Sequence, residues 1–322
     1  MPTPSDHFRL ALLGLPSINS LDEFSATTHL SKGLIYKLSK YGNNYYFVYD
    51  IPKKNGGNRK ISQPCKELKA LQAWINRNIL QRLSVSLACK GFEKNTCIAD
   101  NAYPHIGANA VMTLDIEDFF PSVKINQVWS VFRAVGYSHR MAAILASICT
   151  FEGTLPQGSP ASPKLANLVC LHLDYRILGY VGKKGVIYTR YADDFSFSSH
   201  SSTTLLKIFP FVKGIIKSEG FELNTAKTRL FGPGRQHRIT GLIVNEIAVG
   251  IGRKKLRCIR SKVHNLCKYS KGKTPKQKLN HVIGWLSFVN GVDEKRRDSL
   301  NEYIKKLKIK FPGTGIELVA TD

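Results

Sequence analysis

The sequence predicts an α+β fold, and three stretches carry that prediction: an acid-tipped hairpin at Tyr191-Ala192-Asp193-Asp194, an apolar strand ending in Asp115, and a strongly basic C-terminal region with helical patterning. The run Gly185-Val186-Ile187-Tyr188-Thr189-Arg190-Tyr191 is β-branched and aromatic, and Phe195-Ser196-Phe197-Ser198 alternates as a strand should. Two neighbouring carboxylates repel unless a cation lies between them, so the pair at this tip suits a hard divalent ion such as Mg2+. An Asp-Asp surface turn is the plainer alternative. The stretch Val111-Met112-Thr113-Leu114-Asp115 reads as a buried strand, with Ile116-Glu117-Asp118-Phe119-Phe120 turning into a helix start. Three carboxylates from two strands can hold two metal ions for phosphoryl transfer, which makes Asp115 the third ligand and leaves Glu117 and Asp118 as a solvated turn.

Taken in order, the chain opens with helical stretches that include Ser31 to Lys40 after a candidate cap. Tyr45 to Pro52 reads as a strand, Lys53-Lys54-Asn55-Gly56-Gly57-Asn58 as a turn and Arg59 to Ser62 as a second strand. Glu67 to Leu83 carries Leu68, Leu71, Trp74, Ile75 and Ile79 at helical intervals, so Trp74 is expected in the core. Two helices follow Asp115, Asn126 to Val135 and Arg140 to Cys149, and Ser162 to Gly179 reads as one long amphipathic helix beneath the acidic hairpin. Phe221 to Leu223, Arg238 to Val244 and Ile247 to Ile251 are expected strands.

Charge narrows the class of partner. The chain holds 47 Lys and Arg against 23 Asp and Glu, a formal net charge of +24, an excess that points to a long polyanion rather than a small acidic metabolite. Residues 253 to 310 contain 18 Lys or Arg and 4 Asp or Glu, and their apolar positions (Leu256, Ile259, Val263, Leu266, then Val282, Ile283, Leu286, Val289) recur at helical spacing. Such helices pack one face and leave the other free to track phosphates; a membrane-surface helix is the competing reading. No run approaches the ~18 apolar residues that span a bilayer, and the apolar Leu10 to Leu15 stretch is too short for a secretory signal. Seven cysteines without a CxxC pair suit a reducing cytosol better than a disulfide frame or zinc site.

At Asp115 and Tyr191-Ala192-Asp193-Asp194 the chain resembles a reverse transcriptase, with these residues standing where that family has its catalytic triad. Leu155-Pro156-Gln157-Gly158-Ser159-Pro160-Ala161-Ser162-Pro163 matches the family's LPQG loop and its longer QGxxxSP form. Within the family it is similar to the bacterial retron type: Asn101-Ala102-Tyr103-Pro104-His105 fits the NAxxH signature, and the later VTG triplet appears as Ile239-Thr240-Gly241. The resemblance runs from about Leu10 to the C-terminus. It implies a right-hand polymerase fold: N-terminal helices and fingers over 1–90, palm over 91–122, fingers again over 123–161, palm over 162–238 and a basic helical thumb over 239–322.

The resemblance also implies roles, each with a plainer reading beside it. Arg59, with Lys53 as a second partner, would contact the phosphates of an incoming nucleotide, where lysines on such a hairpin otherwise serve to protect a sheet edge. Phe120 would be the steric gate against a ribose 2′-OH, or else a core aromatic beside Phe119. Gln157 would position nucleotide and template while Gly158 allows close backbone approach. Lys227 would stand near the pyrophosphate leaving group as general acid or neutralising charge, or be an ordinary surface lysine. Asn101, His105, Thr240 and Gly241 would contact RNA; a loop-holding role for Asn101 and His105 is the alternative.

The implied activity is RNA-directed DNA polymerase with two Mg2+ ions, for which Mn2+ could substitute, acting on deoxynucleoside triphosphates. Its implied partners are a cognate structured non-coding RNA and the DNA copy of it, a retron effector protein in anti-phage defence, and a cellular ribonuclease H; a bacterial cytoplasmic setting follows. The product would be a branched RNA-DNA hybrid (msDNA) primed from a guanosine 2′-OH. A group II intron-like or other bacterial reverse transcriptase, and a non-catalytic RNA-binding scaffold on the same fold, are the alternatives.

Overall fold

A computed structural model describes residues 4–53, 56–245, 247–269, 276–314 and 316. Three helices open the chain, α1 (Pro4–Leu12), α2 (Leu21–Thr28) and α3 (Lys32–Lys40). Ser20 caps α2 by accepting from the Glu23 amide and Ser31 caps α3 by accepting from the Leu34 amide, satisfying donors that a helix start leaves free. An antiparallel hairpin follows, β1 (Tyr46–Pro52) with β2 (Asn58–Pro64), in a register that sets Ile51 opposite Arg59 and Tyr49 opposite Ile61. Of the expected turn between them, Lys54 and Asn55 lie outside the described residues. Helix α4 (Lys66–Asn78) buries Leu68, Leu71 and Ile75, and the half-buried Trp74 lies 5.8 Å from the Phe24 ring, a packing contact as expected.

A short α5 (Ile98–Ala102) precedes β3 (Ala110–Asp115) and the one-turn α6 (Phe119–Ser122). Helices α7 (Ile125–Ala134) and α8 (His139–Cys149) come next, then α9 (Ser162–Val169) and α10 (Leu171–Gly182). The single long helix expected from Ser162 is thus two, because Cys170 adopts ψ 0° between them and opens the α geometry, although its amide still donates to the Ala166 carbonyl. Strands β4 (Ile187–Tyr191) and β5 (Asp194–Ser199) form the acidic hairpin, α11 (Ser202–Ser218) follows, and then β6 (Arg229–Phe231), β7 (His237–Ile239), β8 (Leu242–Val244) and β9 (Val249–Gly250). The chain ends in α12 (Arg253–Tyr269), α13 (Lys276–Asn290) and α14 (Glu294–Lys310).

The acidic hairpin belongs to a four-stranded sheet in the order β4-β5-β3-β6, which brings Asp115 beside the Asp193-Asp194 tip. Phe221 to Leu223 is not a full strand as expected: a single bridge joins Leu223 to Ile116, and Phe221 turns into the core against Phe119. The expected strand from Arg238 to Val244 is a hairpin, since Thr240 and Gly241 take φ of 46° and 80°. Two consecutive left-handed residues make the tight turn that matches the twist of paired strands.

By internal packing the chain divides into two compact units, one of residues 1–96, 112–197 and 203–229, the other of 97–111, 198–202 and 230–322. The second unit has its own apolar core, in which Ala99, Ala102 and Val111 join Ile239, Leu242, Ile259, Val263, Leu286 and Ile304. Residues 97–111 therefore pack with the C-terminal helices.

Candidate active site

The acidic tip is held in an unusual backbone shape. Ala192 is buried at φ 58°, a conformation that costs a residue with a Cβ and persists only where the surroundings enforce it. The Ile116 amide donates to the Asp193 carbonyl at 3.1 Å, fixing the tip to the end of β3 immediately after Asp115. Beyond that point the Glu117 amide donates to Glu222 and the Asn224 amide to Asp115, so the chain after Phe221 runs alongside Asp115 before its next turn. That turn carries Lys227, whose Nζ lies 2.9 and 3.0 Å from the two oxygens of Asp115.

Three acids and one ammonium are thereby drawn together, and the electrostatics show it. Burial pushes the Asp194 carboxyl up to about 7, with the neighbouring Asp193 and Asp115 charges adding to the rise. Asp193 is raised by burial and by Asp115, with Lys227 and Arg59 opposing. The hydrogen bond to Asp115 raises the Lys227 ammonium in turn. Among the described residues no three acidic, His or Cys side chains stand in ready metal-ligand geometry; the Lys227 ammonium neutralises Asp115 instead. Asp193 and Asp194 are raised first by burial and then by their acidic neighbours, and a hard divalent cation would offset both, so the three carboxylates suit such an ion.

The nucleotide-side candidates fall in the same unit. Arg59 lies near enough on β2 for its charge to lower Asp193, while Lys53 is exposed at the end of the hairpin, its amide donating to the Gly57 carbonyl. Asp118 turns through φ 44° ahead of α6, on which Phe119 goes into the core and Phe120 stays half-buried, 6.1 Å from Phe92. The Gln157 carbonyl accepts from the Ser62 amide at 2.8 Å, while its side-chain Oε1 is buried with no hydrogen-bond partner. An orphaned buried acceptor is costly and marks a place where a ligand donor would be welcome.

Gly158 has φ 139°, and a Cβ there would meet the Ser62 carbonyl oxygen at 2.7 Å. Gly158→Ala is accordingly expected to cost about 1–3 kcal/mol in chemical denaturation. A change within about 0.5 kcal/mol, the range of ordinary surface substitutions, would show that the loop reroutes freely.

Asn101, His105, Thr240 and Gly241 lie together in the other unit. Direct RNA contact by Asn101 and His105 is not what the structure provides, since both are at 0% exposure. His105 Nδ1 is hydrogen-bonded to Ser198 Oγ at 2.6 Å, and Thr240 Oγ1 donates to the Ile98 carbonyl at 3.3 Å, which ties the β7–β8 turn to the start of α5. Thr240 is half-buried and Gly241 exposed at the β7–β8 turn.

Burial pushes His105 down from 6.5 to about 4. Between those values the unfolded chain binds a proton that the native state refuses, so stability is full above about 6.5 and falls as pH drops toward 4. Removing this histidine as His105→Gln should flatten that slope by up to about 3 kcal/mol between pH 7 and pH 4, at about 1.4 kcal/mol per unit. Denaturant midpoints at several pH values measure it, and parallel slopes for both proteins would remove His105 as the titrating group.

Residues that sequence reasoning missed lie beneath the tip. Arg190 and Asp174 form an ion pair with both side chains at 0% exposure, and Asn167 stands against them. An arginine beside two aspartates reads as solvent-exposed in a sequence, and nothing in the local pattern marks this one as core.

Comparison with known proteins decides the family. The family model for reverse transcriptase (RNA-dependent DNA polymerase) matches residues 51–316. The chain belongs to the reverse transcriptase family. This reverse transcriptase is 46% identical over 307 residues to the Retron Ec86 reverse transcriptase of Escherichia coli, covering 94% of each chain. It is 32% identical to the Retron Mx65 reverse transcriptase of Myxococcus xanthus, over 88% of this chain and 72% of that one. It is thus a retron-type reverse transcriptase with an α+β polymerase fold, an RNA-directed DNA polymerase that takes an RNA template, in a family that generally uses divalent metal ions. No helix among its described residues is long and apolar enough to cross a membrane.

Proposed function

We propose that this reverse transcriptase copies part of a cognate structured non-coding RNA into DNA, priming from a guanosine 2′-OH to give a branched RNA-DNA product, within a retron anti-phage defence system. The observation that carries the catalytic part is the convergence of Asp115, Asp193 and Asp194 beside the Lys227 and Arg59 cations. In this reading Asp115, Asp193 and Asp194 would hold two Mg2+ ions, replaceable by Mn2+, which would supply Lewis-acid stabilisation of phosphoryl transfer. Arg59 and Lys53 attract the triphosphate, the Gln157 Oε1 accepts a hydrogen bond from nucleotide or template, and the Phe120 ring fills the space beside the sugar. Lys227 gives up its hold on Asp115 and neutralises charge developing on the leaving pyrophosphate.

The partner reading rests on the α12 face. Ile259, Val263 and Leu266 are buried, while Arg253, Lys254, Arg257, Arg260 and Lys262 are exposed, an arrangement suited to a phosphate backbone. Thr240 and Gly241 are the retron-signature positions that remain open to RNA. A retron effector protein and a cellular ribonuclease H that removes copied template complete the system in a bacterial cytoplasm.

The test is recovery and sequencing of nucleic acid that copurifies with the protein from cells carrying its native locus. A single DNA species whose 5′ end stays joined to one RNA nucleotide through a 2′ linkage is the expected result. Copurifying RNA with unbranched DNA, or none, would leave a reverse transcriptase outside the retron mode.

A further inference from the structure

The buried polar cluster beneath the acidic tip takes no part in the roles above, and its geometry is specific. The Arg190 guanidinium makes a two-pronged contact with Asp174, Nε to Oδ1 at 2.8 Å and Nη2 to Oδ2 at 2.7 Å. The Tyr188 hydroxyl donates to the same Oδ1 at 2.7 Å. This leaves Nη1, which donates at 3.1 Å both to the carbonyl of Ala192 and to Oδ1 of Asn167. Asn167 then reaches the other way: its Nδ2 donates to the Gly91 carbonyl at 2.7 Å and to Glu93 Oε1 at 3.0 Å. Glu93 is paired at 2.5 Å with Lys164, a lysine with only 3% of its side chain exposed.

The segment so held packs directly against the tip. Its backbone exchanges hydrogen bonds with β4, the Lys90 amide to the Arg190 carbonyl at 2.7 Å and the Arg190 amide to Ala88 at 2.8 Å. Gly91 lies so close that a Cβ would stand 2.6 Å from the Ala192 nitrogen. Ala192, the residue with left-handed backbone, is thus held by Arg190 on its carbonyl side and by Gly91 on its amide side, with Asn167 tying the two holds together.

A buried ion pair is a poor means of stabilising a fold, since apolar side chains of similar volume commonly serve as well or better. What such a pair does provide is a fixed direction for each donor, because an unmet one is costly in the interior. We propose that Arg190 and Asn167 are positioning residues for catalysis: through the Ala192 carbonyl and Gly91 they hold the Asp193-Asp194 backbone in the strained shape that aims both carboxylates at Asp115. The proposal rests on the polymerase reading of those aspartates.

The test uses the full-length protein extending an annealed DNA primer on an RNA template, with Mn2+ affinity measured separately by electron paramagnetic resonance. Arg190→Lys keeps the charge facing Asp174 but removes the Nη1 donor; Asn167→Ala removes the tie to Gly91 and is the second variant should the first fail to fold. Small misplacements of catalytic groups cost about 10²-fold. Folded variants should therefore lose about 10²-fold in kcat with nearly unchanged KM for the deoxynucleotide and weakened Mn2+ binding. A folded variant within threefold of wild-type kcat, or one that loses rate while binding Mn2+ as wild type does, overturns the proposal. Wild type and Asp193→Asn run in parallel separate the two readings: if wild type extends and Asp193→Asn does not, the result bears on Arg190 and Asn167 alone. A wild type that extends nothing, or an Asp193→Asn that extends normally, takes the polymerase reading and this inference down together.

Discussion

Asp193→Asn is expected to reduce DNA synthesis by about 10³-fold or more, because metal-assisted charge stabilisation is worth several kcal/mol and the amide removes a ligand charge without changing shape. The same substitution should leave the metal-free protein as stable as wild type or more so. Asp193 is held above its ordinary pKa by burial and by Asp115, so the folded state bears a strain that the neutral amide lacks. Primer extension and a thermal melt in chelator measure the two halves. Substantial residual synthesis would remove Asp193 from the site, and a large drop in melting temperature would make any lost activity a folding defect.

Phe120→Val is expected to raise ribonucleotide relative to deoxynucleotide incorporation by about tenfold or more, since differences of one or a few buried groups shift discrimination by roughly 1–3 kcal/mol. The division of labour between the two aromatics supports it: Phe119 is the one in the core, against Phe221, while Phe120 is only half-buried and meets Phe92 on one side. The measurement is the ratio of kcat/KM for matched ribo- and deoxynucleotides. An unchanged ratio in a folded, active variant would return Phe120 to the core.

The strands that carry the three acids were legible because each follows a short-range rule. Alternation around Ile187 to Ser198 and the apolar run into Asp115 identify strands whatever surrounds them, and the carboxylates stand at their ends. Helix α11 shows the opposite case: Leu205, Ile208, Val212 and Ile215 recur at helical spacing, yet Pro210 inside the run argues against a helix on local grounds. The Thr240-Gly241 turn was hidden because a β-branched residue at positive φ contradicts its own preference. Arg190 and Asp174 were illegible for a more general reason, since burial of a charge depends on a partner 16 residues away in the chain. The burial of Asn101 and His105 has the same origin, for the pairing of His105 with Ser198 spans 93 residues.

That last burial changes what the NAxxH signature can be used for. A stretch of sequence by which a lineage is recognised need not be the stretch that its members use to recognise anything, and here the diagnostic Asn and His are internal joinery. Grafting residues 101–105 from a relative onto this chain would then leave its choice of RNA where it was. Asn101 and His105 belong to the chassis of their unit, fully buried in its interior rather than set on its surface.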